Sequence, residues 1–280
     1  MHNSIKNNSL THFLNVVFSL LLISALTACS GGSSSPKNES ADGLFKNGTA
    51  NLDSGNVMLN DLRALSYGNR IIIFSISENL LFDGHITNIT ADDYTATFDV
   101  YETGAKTQSG VSVTGKVTTD SQITGTLNGT GAASGTFTLV FDSTYNTGAT
   151  NSKIMKTGGD WGTHLLSTFS SLSDSIDDGI GFDDSSGPLT ASGAFVDDVG
   201  TDACSFEGPL AIPDSNLDLY TVENVTPSSL NPGSPFNCPF VDAVKFTGFA
   251  AVLSESLTDN DLLYAVTNGQ NSFFGILYYK

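Results

Sequence analysis

Residues 70–101 read RIIIFSISENLLFDGHITNITADDYTATFDVY, and this stretch decides the fold class. Arg70 to Ser77 sets four isoleucines and a phenylalanine in one short run, rich in the β-branched side chains that suit a pleated surface. Tyr94, Ala96, Phe98 and Val100 then alternate with Thr95, Thr97, Asp99 and Tyr101, the period of two that gives a strand one inner face. Asp83-Gly84 lies between apolar runs and predicts a type I′ hairpin turn, whose central residues must tolerate positive φ. His85 follows it and is expected on the surface.

The same pattern spreads outward. Val111–Val117 and Ile123–Leu127 continue it, Asn128-Gly129 marks another turn, and Phe137, Leu139 and Phe141 line one face of a later strand. About seven strands are expected between Gly43 and Tyr145. Residues 146–160 (NTGATNSKIMKTGGD) break the pattern and suit a linker. Residues 161–176 fit either a strand and loop or a short helix, with Leu165, Leu166, Phe169 and Leu172 at helical spacing. Six or so strands follow, in runs at 189–195, 204–212, 217–225, 243–253, 262–266 and 272–279. The expectation is an all-β chain with two small antiparallel modules in tandem, each a barrel or a sandwich, at residues 43–150 and 157–280. Phe45 and Trp161 open the two modules, and GTFTLVF (135–141) and FTGFAAV (246–252) suggest a degenerate duplication. The aromatic C-terminal run, with Phe273, Phe274, Tyr278 and Tyr279, reads as the closing strand of a soluble barrel, because the strands lack a lipid-facing apolar band.

The N-terminal segment has a different purpose. A polar stretch carrying Lys6 precedes an apolar run from Leu14 to Ala25 that is too short for a bilayer, which needs about 20 residues. It fits the core of a secretory signal at residues 1–28. Leu26-Thr27-Ala28-Cys29 ends it, and SGGSSSPKNESAD follows at 30–42. This arrangement resembles the lipobox of bacterial lipoproteins. The resemblance implies cleavage before Cys29, acylation of its thiol and new N-terminus, and, with Ser30 next, the outer membrane of a Gram-negative envelope. Several acyl chains, at about 0.8 kcal/mol per buried CH₂, make a stable anchor. The membrane is then a partner through Cys29, and residues 29–42 are the lipidated cysteine and a flexible tether. The succession of β modules behind an anchor also loosely resembles β-rich surface lipoproteins, including the barrel lobes of transferrin-binding-protein-like lipoproteins. No binding residue is carried over from them.

The full chain has a net charge of −18. Residues 29–156 hold 8 basic and 12 acidic side chains, whereas residues 157–280 hold 2 and 17. Such a surface repels nucleic acid and anionic lipid and favours solubility. With Cys29 acylated, Cys204 and Cys238 remain to pair in an oxidising compartment, closing a loop of about 35 residues.

No catalytic residue emerges. There is no Gly-x-Ser-x-Gly elbow or phosphate-binding glycine loop, and neither His85 nor His164 sits in a recognisable motif. Asp174, Asp177, Asp178, Asp183 and Asp184 supply the oxygen ligands that calcium favours. The stretch departs from an EF-hand loop, however, since Ile176 falls at a ligand position and Ser185 stands where the bidentate glutamate belongs. Asp197, Asp198 and Asp202 form a second acidic stretch, and a solvated acidic surface explains both. No cofactor is required, with calcium the one ion to consider. The expected role is binding or structural, toward a protein or small-molecule ligand, and not enzymatic. A hydrolase of envelope or host polymers and a calcium-stabilised adhesion module are the alternatives.

Overall fold

Alternation in the sequence becomes sixteen strands in the computed structural model, which describes residues 39–280 apart from 54–56, 145, 156–160, 164–178, 186, 197–202, 230–237, 239–244, 255–259 and 280. The first eight are β1 (Gly43–Leu52), β2 (Val57–Tyr67), β3 (Arg70–Ser75), β4 (Leu80–Thr90), β5 (Asp93–Glu102), β6 (Ala105–Thr118), β7 (Gln122–Asn128) and β8 (Ser134–Phe141). Each pairs antiparallel with the next, and β8 returns to β1, so the sheet closes into an up-and-down barrel. The second set is β9 (Trp161–Thr163), β10 (Gly179–Asp183), β11 (Thr190–Val196), β12 (Ala203–Ala211), β13 (Tyr220–Ser229), β14 (Phe246–Ser254), β15 (Asn260–Thr267) and β16 (Ser272–Tyr279). It closes in the same order, but only through β9, whose three residues bridge β10 and β16. The fold is therefore all-β with two tandem modules, and both are barrels. Closure removes the exposed edges that would otherwise invite strand addition.

Local details depart from the expectations. Asp83-Gly84 is no turn. It lies within β4, paired to Ile72 and Ile71 on one side and to Asp99 and Phe98 on the other. Glycine is required there because the Phe98 ring covers it: an added Cβ would sit 2.4 Å from that ring. His85 is exposed as expected, but on a strand. The first barrel has eight strands, not seven, since β1 and β2 form a bulged pair whose alternation is irregular. The second has eight instead of six, because β9 and β10 are too short to show a period. GTFTLVF and FTGFAAV are not equivalents: they occupy the eighth and the sixth strands of their barrels.

The predicted tether stops earlier than residue 42. Glu39 donates its backbone N–H to Ala91, Ser40 donates its own to the Thr119 hydroxyl, and Gly68 donates to the Asp42 carboxylate. Ala41 is buried in the base of the barrel. These bonds tie the chain to the end of the barrel where β1 begins, here the near end. The linker is pinned as well. Thr147 donates to the buried Asp218 carboxylate, which also pairs with Lys153, and Ala149 donates to the Leu217 carbonyl. A one-turn helix α1 (Asn151–Ile154), capped by the Thr150 hydroxyl, presses Ile154 into the second core.

Residues 38–280 form one compact unit. Its barrels share a third apolar cluster built from the outward faces of their strands. Ile71 and Ile73 point into the first barrel, whereas Ile72 and Phe74 face the second. From the other side Phe249, Leu263 and Phe274 meet them, with the Phe74 and Phe274 rings 5.3 Å apart. This explains the unbroken apolar runs IIIF, FAAVL and FFGIL: a strand buried on both faces has no polar alternate to show. Corresponding ends meet. The Tyr67 hydroxyl donates to the Pro213 carbonyl, and at the far end Ala105 bridges Asn271, with Ser272 donating to Gly104.

Candidate functional site

The two interiors are filled differently. In the first barrel, aromatic side chains lie over glycines: Phe98 over Gly84, and Phe137 and Tyr94 over Gly125. A cavity of about 10 Å³ is left among Ala50, Leu62, Ile73, Phe82, Leu127 and Phe137. In the second barrel, small residues also sit at inward positions. Gly193 pairs with Phe206, and Ala250 with Tyr264. A cavity of about 80 Å³ remains, walled by Ile180, Phe182, Phe206, Leu210, Val222, Val225, Leu262, Val266 and Phe273 together with Ala191, Gly193 and Ala250.

Two properties make this cavity the candidate site. It is the larger of the two interior spaces, about 80 Å³ against about 10 Å³, and leaves room for a small apolar group. It is also accessible. Ile180, Phe182, Ala191 and Tyr264 line it yet are only half-buried, and Ser192 is exposed beside them, so solvent reaches it along β10–β11. Among the described residues, the lining holds no ionisable group except the Tyr264 hydroxyl, and its chemistry is apolar contact. Fully burying one Val, Leu or Phe side chain contributes about 1.5–3 kcal/mol, which sets the scale of what an apolar guest could gain.

A second constellation joins the barrels. Arg70 donates through Nε and Nη2 to both Asp83 oxygens at 2.9 and 2.8 Å. It also donates to the Thr247 hydroxyl at 2.9 Å, to the Thr247 carbonyl and to the Thr267 hydroxyl, and its guanidinium lies 5.8 Å from the Phe249 ring centre. Thr267 in turn donates to Asp83 at 2.6 Å. Beside this network, burial pushes the Tyr101 hydroxyl up to about 12, and the Asp83 charge adds to the effect. A bidentate Arg–carboxylate pair has strong, directional geometry. With these partners in place, Arg70 acts as a clamp between barrels.

The residues singled out from sequence fall elsewhere. Cys204 at the start of β12 is bonded to Cys238, and this disulfide is the part of the site reading that the structure displays. Cys29, Asp174, Asp177 and Asp178 lie outside the described residues, as do Asp197, Asp198, Asp202 and His164. Asp183 ends β10 on the surface, where the Ser185 N–H holds its carboxyl below the ordinary range. Asp184 accepts from the Asn151 side chain at 3.2 Å. Among the described residues, no three metal-ligating side chains converge, and no helix is long and apolar enough to cross a membrane. Neither the cavity nor the Arg70 clamp was foreseen. The legible signal for the cavity was the run of small residues at inward positions of β11 and β14.

No protein-family model matches the chain, and no curated protein matches it significantly.

Proposed function

We propose that this chain is an outer-membrane lipoprotein of the binding type, whose first barrel is a solid support and whose second barrel takes an apolar ligand. The observation that carries the reading is the contrast between interiors, about 10 Å³ of free space in one and about 80 Å³ in the other.

The lipobox resemblance at Cys29 supplies the location. Glu39, ten residues after Cys29, is the first of the described residues and is tied to the barrel. A fully extended chain of that length spans at most about 35 Å. An acylated Cys29 would therefore hold the near end close to the bilayer.

Two measurements test the reading. In a Gram-negative host, Cys29→Ala is expected to move the protein from the membrane fraction to the soluble one; retention in the membrane would refute the anchor. Xenon dissolved with residues 38–280 is expected to shift methyl resonances of Val222, Val225 and Leu262 and to leave those of Ile73 and Leu127 in place. Equal response in both barrels would refute the division of labour.

A further inference from the structure

We infer that the cavity of the second barrel receives the terminal methylenes of a single unbranched alkyl chain. The inference rests on the binding reading above and names the ligand class. Three features lead to it.

The first is size. A dry cavity of about 150 Å³ is what accommodates a benzene ring. The present space, about 80 Å³, is too small for one. The second is form. Its half-buried members Ile180, Phe182 and Ala191 lie together on β10 and β11, so a guest enters from that side. A space this small then takes only the tip of a chain entering end-on and excludes fused-ring guests. The third is polarity. Among the described residues no cation lines the cavity, and an anionic or zwitterionic head left inside would forfeit its hydration. A head group can stay in water at β10–β11, where Ser192 is exposed, while its tail is buried.

A fatty acid and a membrane phospholipid present the same tail. The experiment separates them and tests the class. Residues 38–280 are titrated with n-decanoate, with dihexanoylphosphatidylcholine below its micellar concentration, with toluene and with xenon, following the methyl resonances of Val222, Val225, Leu262 and Val266. Saturable shifts with either alkyl probe and none with toluene are expected. Response to decanoate alone marks free fatty acid as the source, and response to the phosphatidylcholine marks bilayer lipid. Ala250→Leu, which fills the cavity from β14, is expected to weaken alkyl binding at least tenfold and to raise Tm. Should that variant fail to fold, Ala191→Val makes the same test from β11. Toluene binding as tightly as decanoate, or alkyl shifts that survive the filled cavity, would overturn the inference. Xenon shifts without alkyl shifts sink the alkyl class and leave the binding reading standing; silence from all four probes sinks both.

Discussion

Gly84 and Asp61 show how single residues set the first barrel. Gly84 sits under the Phe98 ring in β4, and Gly84→Ala forces its methyl to 2.4 Å from that ring. Overpacking of this kind costs about 1–3 kcal/mol. Urea unfolding should show that loss, whereas Gly68→Ala, in open space at φ +65°, should show only the smaller penalty of its backbone conformation. The Asp-Gly pair was misread because one local signal serves two purposes. Glycine beside aspartate suits a tight turn, and it equally suits a strand that another ring must approach. Only the partner 14 residues away, Phe98, separates the two. Asp61 illustrates the charge balance. Burial alone would raise its carboxyl, but hydrogen bonds from the Ser75 hydroxyl and the Ser77 N–H outweigh it and hold it below the ordinary value. Asp99 is held down in the same way by Ser109, Gly110 and Lys106. A carboxyl depressed in the folded state gives stability that is full above its unfolded pKa, about 3.9, and is lost as pH falls through the folded value. Stability measured from pH 7 to pH 2 is thus expected to fall below about pH 4, and Asp61→Asn to flatten part of that fall. Asp42, raised by burial, works in the opposite sense.

Elements were most legible where one face is wet. The alternating β5 was read almost to its ends, and its burial pattern follows the sequence as far as Val100; Tyr101, expected on the outer face, is buried in the cluster between the barrels. Strands β14 to β16 were found as apolar runs, but no face could be assigned, because both faces are covered. The three residues of β9 carry too little pattern to be read at all, although they close the second barrel. The disulfide ties the start of β12 to the segment ahead of β14, its cysteines 34 positions apart in sequence. In the chain-entropy account, a closed loop of that size is worth about 3–4 kcal/mol. Cys204→Ser is expected to lower stability by that amount under oxidising conditions. Under reducing conditions, variant and parent should coincide.

On the scale of the molecule, the barrels share one apolar cluster and the Arg70 clamp, whose partners Thr247 and Thr267 lie 177 and 197 residues along the chain. No sequence pattern names partners at such a distance, so the side-by-side union was invisible while the two modules were plain. Residues 38–280 are expected to unfold in a single transition by calorimetry. Phe274→Ala removes the ring that meets Phe74, and a large-to-small change of this type costs about 3–5 kcal/mol. It should split the transition, with the hollow second barrel melting first; one undivided transition would show that the barrels are coupled by other means.

The stitching of residues 39–42 to the near end also gives the molecule a direction of mechanical strength. Tension between that point and the far rim of the second barrel passes from one barrel to the other through their shared apolar cluster and the Arg70 clamp. Such a load slides one barrel face along the other and strains these contacts together, not one at a time. A protein tugged from its outer rim would hold, whereas the same force applied across one barrel wall would unzip it.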